Sequence, residues 1–307
     1  MLNRRILRIK AFKVLYSLAE NPSLSQAEAE KQLERSCEST RDLYLFLLGI
    51  AGPLTGEAAG RIEAARRKFN PTEEDLHPNE KFVSNRLAAI LDEDPDFRKI
   101  YAKKKFSWDQ YDVLLRHIFD SIRTKEWFSA YMNSGKSDLA EDAALWEKIF
   151  EEEFDGNEEL EAILEDLSIW WNDDLAYALS WCCKAVHAIG KGQRWNLPPL
   201  YMSDITKSGD SDRDFVYGIV RKGVASFERY YEMVAGLTPK WDKNRICSTD
   251  LALIAAGMAE HEAFPGIPAS VTINEFVEIS KYYSTPESRG FVNGLLDRLI
   301  NNNKKQL

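Results

Sequence analysis

Apolar residues recur at the 3.6-residue spacing of a helix along nearly the whole chain, and alternating runs bounded by turn residues are absent. The periodic stretches are 5–20, 25–50, 55–68, 80–91, 109–132, 139–153, 158–189, 213–236, 248–261, 271–283 and 286–300. A chain patterned this way folds all-α. Thr285-Pro286-Glu287 reads as an N-cap, a proline in the first turn and an acid at a helix start. Asp138 with Glu141 three residues later reads as a capping box. Breaks are expected at Asn70-Pro71, Asn133-Ser134-Gly135, Gly190-Lys191-Gly192 and Leu197-Pro198-Pro199. The polar stretch 203–213 reads as an exposed linker, and Asn301 to Gln306 as a polar tail.

The longest apolar run, Leu43 to Leu54, is twelve residues and contains Gly49, Gly52 and Pro53. A bilayer needs about 20 apolar residues, so this run reads as a buried helix and no membrane partner is expected. Arg8, Lys10 and Lys13 interrupt any apolar segment behind Arg4 and Arg5, which argues against a secretory signal and for a cytoplasmic protein. Cys37, Cys182, Cys183 and Cys247 lack metal-ligand spacing and read as reduced, mostly buried thiols.

The net charge of −9 conceals a segregated pattern. Residues 138–174 hold fifteen Asp or Glu against Lys148 alone, which leaves the rest of the chain at +5. The first twenty residues carry Arg4, Arg5, Arg8, Lys10 and Lys13 against Glu20. On a helical projection of that segment, Leu7, Ala11, Val14, Leu15 and Leu18 share one meridian and form a core stripe. Ile9, Phe12 and Tyr16 make a second apolar face, which must meet the middle of the chain or a partner. Cations in a first turn oppose the helix dipole, so a counter-anion is expected there. Phosphates would serve, with Phe12 or Tyr16 available to stack on a base.

Catalysis finds little support. Glu74-Asp75-Leu76-His77 fits one half of a helical di-iron site, but a second copy is missing. His77, His117, His187 and His261 accompany no glycine-rich phosphate loop. The expectation is a non-enzyme without metal or cofactor. The acidic stretch, with Trp146, Trp170 and Trp171, reads as an amphipathic helix pair with acidic outer faces. Alternatively, it folds near the basic first helix and competes with RNA.

Three segments resemble the NusB family in the family's own order. Ile267-Pro268-Ala269-Ser270-Val271-Thr272-Ile273-Asn274-Glu275-Phe276-Val277-Glu278-Ile279-Ser280-Lys281 is similar to its proline followed by V-x-I-N-E-x-V-E-[LI]-[AS]-K. Ser288-Arg289-Gly290-Phe291-Val292-Asn293-Gly294-Leu295-Leu296-Asp297 resembles S-x-x-F-V-N-G-[VL]-L-D. Arg4 to Tyr16 resembles the opening R-R-x-x-R-x-x-A-x-x-x-L-Y. Lys13 and Ala255 depart from the family's usual Gln and Arg.

The resemblance implies two antiparallel three-helix bundles. It also implies an antitermination factor that binds boxA-like RNA together with the ribosomal protein NusE, in the antitermination complex of RNA polymerase. It places RNA contacts at Arg4, Arg5, Arg8, Lys10, Lys13, Ser288, Arg289 and Phe291, and NusE contacts at Tyr16, Asp250 and Glu287. Residues 1–20 and 213–307 would form the core, with 21–212 a helical insertion. Phe291, Leu295, Leu296 and Leu299 read as a core stripe, with Gly290 and Gly294 admitting a neighbouring helix. Asn274 and Asn293 read as structural amides. A helical interaction scaffold without an RNA role is the alternative.

Overall fold

A computed structural model describes residues 1–202, 211–238 and 246–303. Most of the linker expected at 203–213 and half of the polar tail lie outside the described residues. In chain order the helices are α1 (Arg4–Glu20), α2 (Gln26–Leu48), α3 (Ala51–Arg66), α4 (Glu73–Leu76), α5 (Arg86–Glu93) and α6 (Pro95–Lys104). They continue as α7 (Asp112–Arg123), α8 (Glu126–Asn133), α9 (Leu139–Ile149), a π-helical turn (Phe150–Phe154), α10 (Glu158–Leu167) and α11 (Leu175–Gly190). The last are α12 (Asp212–Leu237), α13 (Ser248–Ala263), α14 (Ala269–Tyr283) and α15 (Pro286–Asn303). No strand occurs among the described residues, so the fold is all-α.

The chain divides into two compact units, one of residues 1–38 and 199–307, the other of 39–198. Residues 21–38 and 199–212, assigned to the insertion on sequence, cluster with the terminal unit instead.

The terminal unit is built around α13, which is buried continuously from Asp250 to Glu260. A helix buried all round needs neighbours on every side. α1, α12, α14 and α15 supply them. The α1 stripe Leu7, Ala11, Val14, Leu15 and Leu18 is buried as its spacing requires. Gly257 permits a close approach: a Cβ there would lie 2.8 Å from Leu296 Cδ2 and 3.3 Å from Phe276 Cδ2.

The central unit has an aromatic core. Phe46 stacks on Trp108 with centroids 4.3 Å apart, and the Trp108 indole donates to the Phe46 carbonyl at 3.0 Å. Trp146 is fully buried and donates to Asn85 Oδ1 at 3.0 Å. The apolar run from Leu43 lies in this core. Length and composition alone would let the stretch Gln26–Arg66 cross a membrane, but 61% of its apolar window is buried in the protein, as in a core helix. Cys37 and Cys182 are buried and Cys183 is half-buried, whereas Cys247 is exposed.

Several sequence expectations are corrected. The stretch 158–189 is two helices, because the chain turns at 168–174, where Asp173 adopts a left-handed φ of 67°. On α15 the buried stripe is Val292, Leu295, Leu296, Leu299 and Ile300, with Phe291 half-buried at its edge. Asn274 and Asn293 are exposed rather than structural amides in the core. A Cβ at Gly290 or Gly294 meets nothing within 4 Å, so no helix packs there.

These glycines give opposite predictions on helices that share one interface. Gly257→Val should lower stability by about 1–3 kcal/mol through overpacking. Gly294→Ala should be neutral or raise it by up to about 1 kcal/mol through helix propensity. Thermal denaturation of the two variants checks both signs.

Candidate nucleic-acid interface

The basic start of α1 begins at Asn3, whose side chain caps the helix by accepting from the Ile6 N–H at 3.0 Å. No acid occupies its first turn. The expected counter-anions come from other helices. Arg4 Nε donates to Asp212 Oδ1 at 3.3 Å, and its guanidinium lies 4.6 Å from the Phe215 ring centroid. Arg5 forms a two-pronged pair with Glu275, at 3.0 and 2.7 Å. Arg8 does the same with Glu260, at 2.6 and 2.9 Å.

Burial separates these arginines. Arg8 is 5% exposed and Glu260 is fully buried. Thr272 Oγ1 donates a further bond to Glu260 at 2.8 Å, and Arg8 also approaches Glu275 at 3.5 Å. A buried charge needs this degree of pairing. Arg8 therefore sits in the interior, not on a phosphate-facing surface. Lys10 is likewise interior, at 1% exposure. Arg5 remains exposed and Arg4 half-exposed. Lys13 is half-buried, with its ammonium 5.6 Å from the Tyr283 ring.

The second apolar face of α1 is covered within its own unit: Phe12 is buried, its ring centroid 5.2 Å from that of Tyr283 on α14. Tyr16 stays exposed beside it.

The two motif-bearing ends of the chain meet at α14. Val271, Glu275, Glu278 and Tyr282 follow one meridian of that helix at spacings of four, three and four. Glu275 faces Arg5. Glu278 is held below the ordinary carboxylate range, first by its hydrogen bond from Lys281 and then by the charges of Lys281, Arg289 and Arg5. One acid thus feels α1 and α15 together. Tyr282, on the same meridian, is 84% exposed. The sequence reading missed Tyr282, although its place four residues after Glu278 puts it on the solvent side.

The remaining expected residues scatter. Ser288 is half-buried in the first turn of α15, where its N–H donates to Thr285 Oγ1 at 3.3 Å. Arg289 is exposed. Glu287 is exposed, and its own backbone N–H and the Thr285 hydroxyl lower its pKa. Asp250 is buried and accepts from Ser284 Oγ at 2.5 Å. It ties α13 to the end of α14 and presents no carboxylate to a partner in this conformation.

Comparison with known proteins adds a family. The NusB family pattern matches residues 193–301. The transcription antitermination protein NusB of Salinibacter ruber is 33% identical over 90 residues, covering 29% of this chain and 56% of that protein. That of Syntrophotalea carbinolica is 36% identical over 87 residues, with 28% and 56% covered. That of Geobacter sulfurreducens is 28% identical over 108 residues, with 35% and 78% covered. The chain thus spans little more than half the length of the first two. No solved structure matches.

The two pairs predict different responses to mutation. Arg8→Ala should cost about 3–5 kcal/mol, because it leaves Glu260 buried and unpaired, and Arg8→Met with Glu260→Leu should recover most of that loss. Arg5→Ala should cost at most about 1 kcal/mol. Arg5 also sets an acid dependence, since its hydrogen bond holds Glu275 below the ordinary carboxylate value. That stabilisation is fully present above the unfolded-state value of about 4.3 and is lost as pH falls through the depressed one. Denaturant unfolding at neutral and acid pH should therefore show the Arg5→Ala deficit shrinking on acidification.

Proposed function

We propose a function from one premise: this chain carries a NusB family domain at residues 193–301, which makes it a long member of that family. The chain acts in transcription antitermination, the role in the names of its relatives, as a cytoplasmic RNA-binding protein without catalytic activity. Its RNA is a boxA-like element of a nascent transcript, bound jointly with NusE within the antitermination complex. The observation that carries this reading is the pairing of Arg5 with Glu275 on α14, a helix that packs against both α1 and α15 and so brings the basic start of the chain to its C-terminal motifs.

On that face Arg5, Lys13, Lys281 and Arg289 offer cations, and Tyr282 and Tyr16 offer rings. Exposed ion pairs contribute little, so Glu275 and Glu278 can yield Arg5 and Lys281 to phosphates at small cost. Single-stranded RNA is read by this combination of backbone charge and stacking. The exposed Gly290 follows Arg289 directly, and the exposed Asn293 and Gly294 lie about one turn further along α15, where small side chains let a nucleotide approach the helix closely. Arg8 and Lys10 position α1 from inside rather than touching RNA. Tyr16 and Glu287 remain the exposed candidates for the NusE contact.

Binding of a boxA-like RNA oligonucleotide at several salt concentrations, with and without NusE, tests this. Wild-type protein should bind weakly alone and more tightly with NusE. Arg5→Ala with Arg289→Ala should weaken binding at least tenfold. The same pair should make the log–log salt slope shallower by roughly 1.4, about 0.7 for each lost phosphate contact on a single strand. Tyr282→Ala should weaken binding without changing the slope. Wild-type affinity in the double arginine variant would sink the proposal, and no RNA binding under any condition would favour an interaction scaffold.

A further inference from the structure

The acidic stretch 138–174 has no part in the proposed function, yet in the central unit it builds more than a solvated face. Two hollows of about 330 Å³ and 310 Å³ adjoin along α11, sharing Asp155 and Ala176. Their floor includes Phe150, Leu164, Trp171 and Leu179, all buried. Their walls carry Glu151, Asp155, Glu161, Glu165 and Asp173 and no basic residue. Lys148 is the base in reach, 3.8 Å from Glu151 and 3.2 Å from Glu152. Asp155, Glu161 and Glu165 have no ion-pair partner among the described residues. Close by in sequence, Leu167 and Ile169 stand exposed, Ile169 at 76%.

An apolar floor between unpaired carboxylates selects its occupant by charge. RNA and anionic lipid are repelled by the walls. The carboxylates do not converge as metal ligands: no group of three or more His, Cys, Asp or Glu suited to a metal occurs among the described residues. From Leu175 to Cys183, α11 rises about 12 Å at 1.5 Å per residue. That length matches about four extended residues at 3.3 Å each, a peptide segment rather than a single side chain.

We propose that this trench binds a cationic amphipathic segment of a partner protein. One apolar side chain seats over Leu175 and Ala176, above the buried Trp171 and Leu179, and flanking lysines or arginines reach Asp155, Glu161 and Glu165. Electrostatic attraction sets the encounter rate and its salt dependence, and the apolar floor sets the residence time.

The test uses the full-length chain and a fluorescent peptide of alternating lysine and leucine, followed by anisotropy. An oligolysine of equal charge and an alternating glutamate–leucine peptide are the comparisons. The lysine–leucine peptide should bind at least tenfold more tightly than either. Asp155→Asn with Glu161→Gln and Glu165→Gln should weaken it at least tenfold. Glu158→Gln with Glu159→Gln and Asp166→Asn removes the same charge from acids outside the trench, and should change affinity less than twofold. Bound peptide should also protect Cys183, in the second hollow, from alkylation while the exposed Cys247 stays reactive. Equal weakening by the two triple variants would overturn the proposal. So would equal binding of oligolysine, or an unprotected Cys183.

Discussion

The terminal unit depends on the buried pair between Arg8 of α1 and Glu260 of α13. Removing two charges from water is expensive, and their attraction repays it only when every remaining hydrogen-bonding position is used. Here Glu260 accepts two bonds from the guanidinium and a third from Thr272 of α14, while Phe215 of α12 lies 5.2 Å from the same guanidinium. Four helices therefore have to take one mutual arrangement for the pair to form. Such a pair adds little net stability over apolar packing, but it penalises alternative packings steeply. A rotation or one-turn slip of α1 would leave Glu260 charged and unpaired. The pair thus fixes which residues of α1 face outward, and Arg5, three residues before Arg8, is held beside Glu275 as a consequence.

This pairing also accounts for a helix that begins with cations where its dipole disfavours them. Asp212, Glu260 and Glu275 come from three different helices and supply the anions that the first turn of α1 lacks. The interior anion is permanent, whereas the surface ones are exchangeable. That distinction converts a run of similar arginines into two classes, one holding the fold and one available to a ligand.

Much of the fold was legible in the sequence because helical periodicity and burial are the same information. The α1 stripe and the uninterrupted apolar character of α13 needed nothing else. Legibility failed where a residue's phase mattered more than its type. Asn274 and Asn293 lie next to core positions but one step around the helix, and Phe291 yields the core to Val292 for the same reason. Trp170-Trp171 continued an apolar pattern through what is a turn, because one buried tryptophan looks the same in sequence whether helix or loop carries it. At the candidate site, motif spacing put Arg5, Arg8 and Arg289 in one class and could not rank Arg8 differently. Its partner is 252 residues away, and nothing local distinguishes a buried arginine from an exposed one.

Charge was misleading as a total and informative as a distribution. At physiological ionic strength the Debye length is about 8 Å, so an exposed ligand senses the charges of the face it touches and little beyond. A chain of net charge −9 can therefore present a cationic, tyrosine-bearing face on one unit and an acidic, apolar-floored trench on another. Segregation of this kind has a cost in self-repulsion within each patch, which a random distribution would avoid. In the terminal unit acids from neighbouring helices offset it. In the trench Asp155, Glu161 and Glu165 lack such partners, and the unrelieved repulsion among them is a standing preference for a cation. The two faces are thus the same physical problem, solved inside the fold in one case and left for a partner to solve in the other.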